Sequence, residues 1–133
     1  MSNEDIQSKF DNAKDGDTFE FTDNEYNDIS LVVDKKLNIV SKNGSVVYTL
    51  GKLTDKAKKL GLDKTFGFYF TSKSAGSVLS GITIVASNSD CGVIVDNTKN
   101  VLVKDNLAVG GKNCILVKNS DKISNVAKNI EKI

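Results

Sequence analysis

Apolar and polar residues alternate along most of this chain, in short bursts. Phe19 and Phe21 flank one polar residue in "DTFEF". Ile29, Leu31 and Val33 alternate, then Leu37 and Ile39, then the residues of "SVVYTL" after Asn43-Gly44. Bursts of this length predict short strands separated by polar bends. The first residues depart from the rule. In "SNEDIQSKFDNAKDG", Ile6, Phe10 and Ala13 fall on one helical face. A short helix is predicted there, with Ser2 or Asn3 as its cap, Asp5 at capping-box distance from Ser2, and Gly16 as a left-handed end. Residues 51–65, "GKLTDKAKKLGLDKT", also depart from it. Thr54 caps a single helical turn over 55–60, Gly61 ends it, and the segment reads as a surface insertion.

The bursts repeat. "GFYFTS", "GVIVDN" and "CILVKN" begin at Gly67, Gly92 and Cys114, at steps of 25 and 22 residues. A second short strand follows each ("SVLSG", "NVLVKDN", "KISNVAKN"), then a third ("ITIVA", "LAV", "IEKI"). Self-similarity at this period marks a solenoid. Three short strands cannot bury their own apolar side, so units stack and share a continuous core. The expected fold is an all-β solenoid, a parallel β-helix of about four to five coils with an N-terminal α-helical cap. It is expected as a single domain over 1–133: a cap over 1–16, coils over 17–133 with a loop insertion at 51–65, the whole a fragment of a longer protein. Parity places Val93 over Ile115 and Val95 over Val117, with Phe68 and Phe70 in the preceding unit. Asn97 over Asn119 is expected to form an amide ladder. Cys91 shares parity with Val93 and points inward, whereas Cys114 points outward with Leu116. Two free thiols are therefore expected rather than a disulfide.

Composition narrows the chemistry. Eighteen Lys nearly balance seventeen Asp plus Glu, giving a net charge of +1. No basic excess gathers on one face, so nucleic acid is not an expected partner. The chain has no His, Arg, Pro or Trp. Without His, the catalytic triads that depend on it are impossible within this chain, as is imidazole ligation of zinc. Without Arg, bidentate clamps on carboxylate or phosphate are absent. No apolar run approaches the roughly 20 residues of a membrane-spanning helix, so no membrane insertion is expected in this segment. The polar start is not a signal peptide; a segment cut from an exported protein begins the same way.

Candidate catalytic carboxylates are Asp15, Asp17, Asp90, Asp96, Asp105 and Asp121. All stand in turn-like or polar contexts where Asp bonds to backbone, so structural roles are expected for them. No Asp-x-Asp-x-Asp-Gly run offers a calcium cage. Accordingly no catalytic, cofactor-binding or metal site is assigned, no cofactor is expected, and the ligand-binding residues stay unassigned. Tyr26, Tyr48 and Tyr69 are candidates to stack on sugar rings. Lys52, Lys56, Lys58 and Lys59 of the insertion are candidates to meet an acidic polymer, since function tends to ride on loops.

Several phrases carry a resemblance: "IQSKFDNAKDGDTFEF" with Tyr26-Asn27-Asp28, then "VVDKKLNIVSKNG", "GFYFTSKSAGSVLSGITIVAS" and "VIVDNTKNVLVKDN". Through them the chain resembles the repeat region of surface adhesin-like proteins of methanogenic archaea, within the right-handed, pectate-lyase-like parallel β-helix class. The resemblance covers nearly the whole chain and is thinnest after Ser124. In such proteins a helix caps the first coil and a Gly-Asp-Thr turn follows, here Gly16-Asp17-Thr18. Phe19 departs from the family, where a β-branched residue or Leu is common, and the last coil is irregular. The resemblance implies a non-catalytic module at the cell surface or outside the cell. It would bind a carbohydrate or protein surface, or act as a rigid display element. Implied partners are cell-surface polysaccharide or a host or symbiont surface protein. Self-association through the C-terminal coil is a further expectation. The alternative is a polysaccharide lyase or glycoside hydrolase on the same scaffold. The family offers no catalytic motif to carry over.

Overall fold

The computed structural model describes residues 1–49, 51–87, 89–109 and 115–121, with the backbone of 124–125 and 130–132. The chain opens with α1 (Asn3–Asn12). The Ser2 hydroxyl accepts from the Asp5 amide at 3.2 Å, and the Asp5 carboxylate accepts from the Ser2 amide at 3.2 Å, a complete capping box. Gly16 does not end this helix. Ala13, in extended conformation, is the C-cap, and Lys35 Nζ donates to the carbonyls of Asp11 and Ala13 at 2.7 Å each. A lysine thus satisfies helix-end carbonyls that a left-handed glycine was expected to serve.

The strands follow in rounds of three. The first round is β1 (Asp17–Glu20), β2 (Glu25–Tyr26) and β3 (Leu31–Val33). The second is β4 (Leu37–Val40), β5 (Val46–Thr49) and, after α2 (Asp55–Lys59), β6 (Phe66–Phe70). Next come β7 (Val78–Ser80), β8 (Thr83–Ala86) and β9 (Cys91–Asp96), then β10 (Leu102–Lys104), β11 (Leu107–Val109) and β12 (Ile115–Lys118). Then β13 (Ser124–Asn125) and β14 (Ile130–Lys132) follow. Three parallel sheets result: β1-β4-β7-β10-β13, β11-β8-β5-β2 and β14-β12-β9-β6-β3. The chain visits the sheets in rotation, and all strand pairs among the described residues are parallel. The expected rows are present: Phe68, Val93 and Ile115 align, as do Phe70, Val95 and Val117.

The inward faces merge into one apolar core running from Ile6 and Phe10 on α1 to Ile115. Its α1 end is aromatic. Phe10, Phe19, Phe21 and Tyr26 meet edge to face with centroids 4.8–5.3 Å apart, a geometry the ring quadrupoles favour. The helix also closes a sheet edge. Gln7, 4% exposed, accepts from Val32 N at 2.8 Å and donates to Val32 O at 3.0 Å. Asn3 accepts from Ser30 N at 2.9 Å. Side-chain amides thereby stand in for a missing strand beside β3.

A second cluster lies on the outer face of the third sheet. Val32, Phe66, Tyr69, Cys91, Ile94 and Leu116 pack there under Ala57, Leu53 and Leu62. Thr54 caps α2 by accepting from Ala57 N at 3.1 Å, as expected. The insertion is therefore a cover for this face, seated by its own apolar residues.

Cys91 lies in this outer cluster, which corrects the inward placement. Alternation breaks at Gly67 and Gly92. A Cβ on Gly67 would sit 2.8 Å from Gly92 O and 3.1 Å from Ile84 Cγ2, and one on Gly92 would sit 3.2 Å from the same Ile84 carbon. Each glycine thus faces inward just before an inward Phe68 or Val93, and two successive inward residues put Phe66 and Cys91 outside. The directional objection to a disulfide falls, and Cys91 is disulfide-bonded. The one other cysteine in the sequence is Cys114, which lies outside the described residues.

The amide ladder also needs correction. Asn97 and Asn119 directly follow β9 and β12 and lie in the left-handed region, at φ 54° and 48°. Both are exposed, and no hydrogen bond joins their side chains among the described residues. Their shared role is backbone geometry at a bend, which Asn tolerates. The buried amide is instead Asn106, which accepts from Ile82 N at 3.0 Å and donates to Leu79 O at 2.7 Å, bracing the bend between the first and second sheets. At that bend Asp105, in line with Gly81, is also left-handed. Among the described residues no helix is long and apolar enough to cross a membrane.

Candidate functional site

In β3, β6, β9 and β12 of the third sheet the last inward apolar residue is followed by an outward polar one. Val33 is followed by Asp34, Phe70 by Thr71, Val95 by Asp96 and Val117 by Lys118. Parallel register lays these polar residues in a row. Lys118 pairs with Asp96, and Thr71 donates its amide to Val33 O at 3.1 Å and its hydroxyl to Asp34 Oδ1 at 2.6 Å. Lys56 of α2 reaches over the row, 3.6 Å from Asp34 and 3.4 Å from Asp11. It ties insertion, helix and sheet together.

Tyr69 precedes Thr71 by two residues on the same face. Its ring packs on Phe66 at 5.1 Å, and its phenol donates to Asp96 Oδ2. The phenol is held well above its ordinary range, first by burial, then by the bond to Asp96 and the charges of Asp96 and Asp63. It stays a donor and cannot serve as a base near neutrality.

Two concavities adjoin the row and share Ser72 and Asn97. One, of about 240 Å³, lies between the insertion and the row, against Tyr69, Thr71 and Asp96. The other is a shallow groove of about 610 Å³ along the bend, lined by Thr98, Lys99, Asn119, Ser120 and Asp121 among others. Lys99 and Asp121 meet in an isolated parallel bridge across it. Thr98 is 9% exposed. Its amide donates to Ser120 Oγ at 3.1 Å, yet its own hydroxyl is buried without a hydrogen-bond partner among the described residues. That oxygen has less than 1 Å² accessible, so it lies beneath the lining and is closed to the groove. The track offers hydroxyls, amides and carboxylates in series, a set suited to the hydroxyls of a polyol or sugar.

Of the carboxylates singled out in the sequence, Asp96 and Asp121 reach this track. Asp15 accepts from Lys36 N at 3.3 Å and Asp17 from Lys14 N at 2.9 Å, both in the first bend. Asp90 accepts from Thr65 N at 3.0 Å and Thr65 Oγ1 at 3.2 Å. Asp105 shapes the Asn106 bend. Among the described residues no group of three His, Cys, Asp or Glu side chains converges as a metal site. Tyr26 is unsuited to stacking: it is 6% exposed, and its phenol accepts from Thr22 N and Asp23 N at 3.0 Å each. Tyr48 is half-buried on the outer face of the second sheet, while Lys52, Lys58 and Lys59 are exposed on the insertion. Asp34, Thr71, Thr98 and Ser120 were not singled out. Their signal is positional, since the first two each follow the last inward residue of a strand.

No family model matches the chain, and neither does any curated protein or solved structure. The track's own geometry therefore carries the functional reading.

Proposed function

We propose that the chain is a non-catalytic binding module whose polar track takes an oligosaccharide. The observation that carries this is the lining of the groove, where Asn97, Lys99, Asn119, Ser120 and Asp121 set polar groups in series along the bend. The scaffold reading is a right-handed parallel β-helix closed at one end by α1; it is supported by the rotation of the chain through three parallel sheets. An extracellular or cell-surface setting is supported by the disulfide at Cys91, because such bonds persist in oxidising compartments. Adhesin-like identity and a polysaccharide or host-surface partner rest on the sequence resemblance.

The test is a glycan array followed by calorimetric titration of the best ligand, on the parent and on the groove-lining variants Lys99→Ala and Asp121→Ala. Both side chains are exposed, so stability should change by less than about 0.5 kcal/mol. Binding should weaken by about tenfold, the value of one well-placed bond of roughly 1.4 kcal/mol. Silence across neutral, acetamido and uronic glycans would sink the reading.

One observation favours the enzymatic alternative. Asp34 and Asp96 lie two strands apart in one row, about 9–10 Å by strand spacing, near the upper limit for an inverting glycosidase pair. Reducing-sugar release from a polysaccharide panel, abolished by Asp96→Asn, would replace binding with hydrolysis.

A further inference from the structure

The α1 end of the stack is only partly covered. The helix serves β3, where Gln7 and Asn3 bond to the backbone of Val32 and Ser30. Among the described residues β1 has no such cover: it pairs on one side alone, with β4. Asp17, Thr18 and Glu20 are exposed along it. Half of the backbone groups of a parallel edge strand face away from its neighbour and can template another strand.

Between that edge and α1 lies a cleft of about 860 Å³. Its floor is aromatic, formed by Phe10, Phe19 and Tyr26. Phe19 is half-buried and meets Phe10 edge to face with centroids 5.3 Å apart. The rim is acidic on balance: Asp17, Glu20 and Asp23 outnumber its basic groups, Lys9 and the Met1 amino group. Lys42 stands 4.0 Å from Glu20, both well exposed, and such a pair is weak.

We propose that this cleft binds an extended peptide that adds a strand to the free edge of β1, drops an apolar side chain onto Phe19, and sets flanking Lys or Arg against the acidic rim. Main-chain bonds would supply affinity and the pocket and rim selectivity, as in other strand-addition sites. A second copy of the chain is a poorer occupant. Flush stacking would have to extend the third sheet at β3, where α1 stands in the way. A single strand meets no such obstacle.

The probes are fluorescein-labelled heptapeptides KVTLTVK, its charge-reversed form EVTLTVE, and KVPLPVK, whose prolines remove main-chain donors. Fluorescence anisotropy on the full chain should show saturable binding of KVTLTVK, about tenfold weaker binding of EVTLTVE, and none of KVPLPVK. The double variant Glu20→Lys/Asp23→Lys should invert the charge preference. The milder Glu20→Gln/Asp23→Asn should erase it, with far-UV circular dichroism checking the fold of both. No saturable binding, equal binding of the proline peptide, or a preference unmoved by either double variant would overturn the proposal. So would concentration-dependent sedimentation that the same substitutions abolish while no peptide binds, because a second copy would then be the occupant.

Discussion

Gln7 offers a sharp test of how the α1 end is closed. It is a buried polar residue on a helix face that otherwise carries Ile6 and Phe10. Its amide bonds both backbone groups of Val32, which is 0% exposed. Gln7→Leu keeps the bulk and removes both bonds. Two buried backbone groups lose their partners at about 1–3 kcal/mol each, partly offset by no longer burying an amide, so a loss of about 2–4 kcal/mol is expected. Gln7→Glu separates the two bonds. The introduced carboxylate, when ionised, could accept from Val32 N but would turn its other oxygen on Val32 O. It would also stand beside Asp11, whose Oδ1 now accepts from Gln7 at 3.1 Å. Burial and both oxygens favour the protonated acid, so the folded pKa of the introduced carboxyl should lie above its unfolded value of about 4.3. The sign follows by linkage. The stabilising contribution is fully present below the unfolded pKa and is lost as pH rises through the folded one. Urea unfolding followed by far-UV circular dichroism should place Gln7→Glu at or above Gln7→Leu near pH 4, and below it near pH 7. The reasoning fails if Gln7→Leu stays within about 0.5 kcal/mol of the parent. It also fails if the Gln7→Glu profile runs parallel to the parent's over that range.

Three further outcomes follow from other contacts. Gly81→Ala places a Cβ 2.1 Å from Ser41 O at φ +78°, whereas Gly44→Ala at φ +73° meets nothing within 4 Å. Both bear the left-handed penalty of about 1–2 kcal/mol, so denaturant melts should show Gly81→Ala less stable than Gly44→Ala by about another 1–3 kcal/mol; equal losses would refute the close approach. The raised Tyr69 pKa contributes stability that is complete below the unfolded value of about 10 and lost as pH climbs above it. Alkaline absorbance titration should show a tyrosine step that comes only as the chain unfolds, and Tyr69→Phe should diminish that step. Reducing the bond at Cys91 should lower stability by about 2–4 kcal/mol, and a thiol reagent should find no free thiol in the unfolded, unreduced chain.

Much of the architecture could be read from period alone, because stacking forces it. An apolar residue that recurs after one round meets its own kind, so Val93 with Ile115 and Val95 with Val117 followed from the 22-residue step. Two features did not follow. Parity counting assumes strict alternation, and Gly67 and Gly92 break it: without a Cβ, each accepts an inward position against Ile84. Cys91 was misplaced for that reason, and its oxidation state with it. Similarly, polarity alone could not separate Asn97 from Asn106. Both sit in bends, but one lends only its backbone tolerance while the other plugs the chain's interior with its amide.

The site was harder to read than the fold because the insertion displaces its members along the chain. Thr71 follows Asp34 by 37 residues, whereas Asp96 follows Thr71 by 25 and Lys118 follows Asp96 by 22. The first step carries residues 51–65, so a search at constant period skips Asp34. That same segment decides what the row can do. By seating Leu53, Ala57 and Leu62 over the third sheet, it buries Tyr69 and turns an outward aromatic from a platform for a sugar ring into a pillar that fixes Asp96. The consequence is directional. Recognition at this face should proceed through hydrogen bonds along the bend rather than stacking on a tyrosine, and ligands should be graded by the number and placement of their hydroxyls.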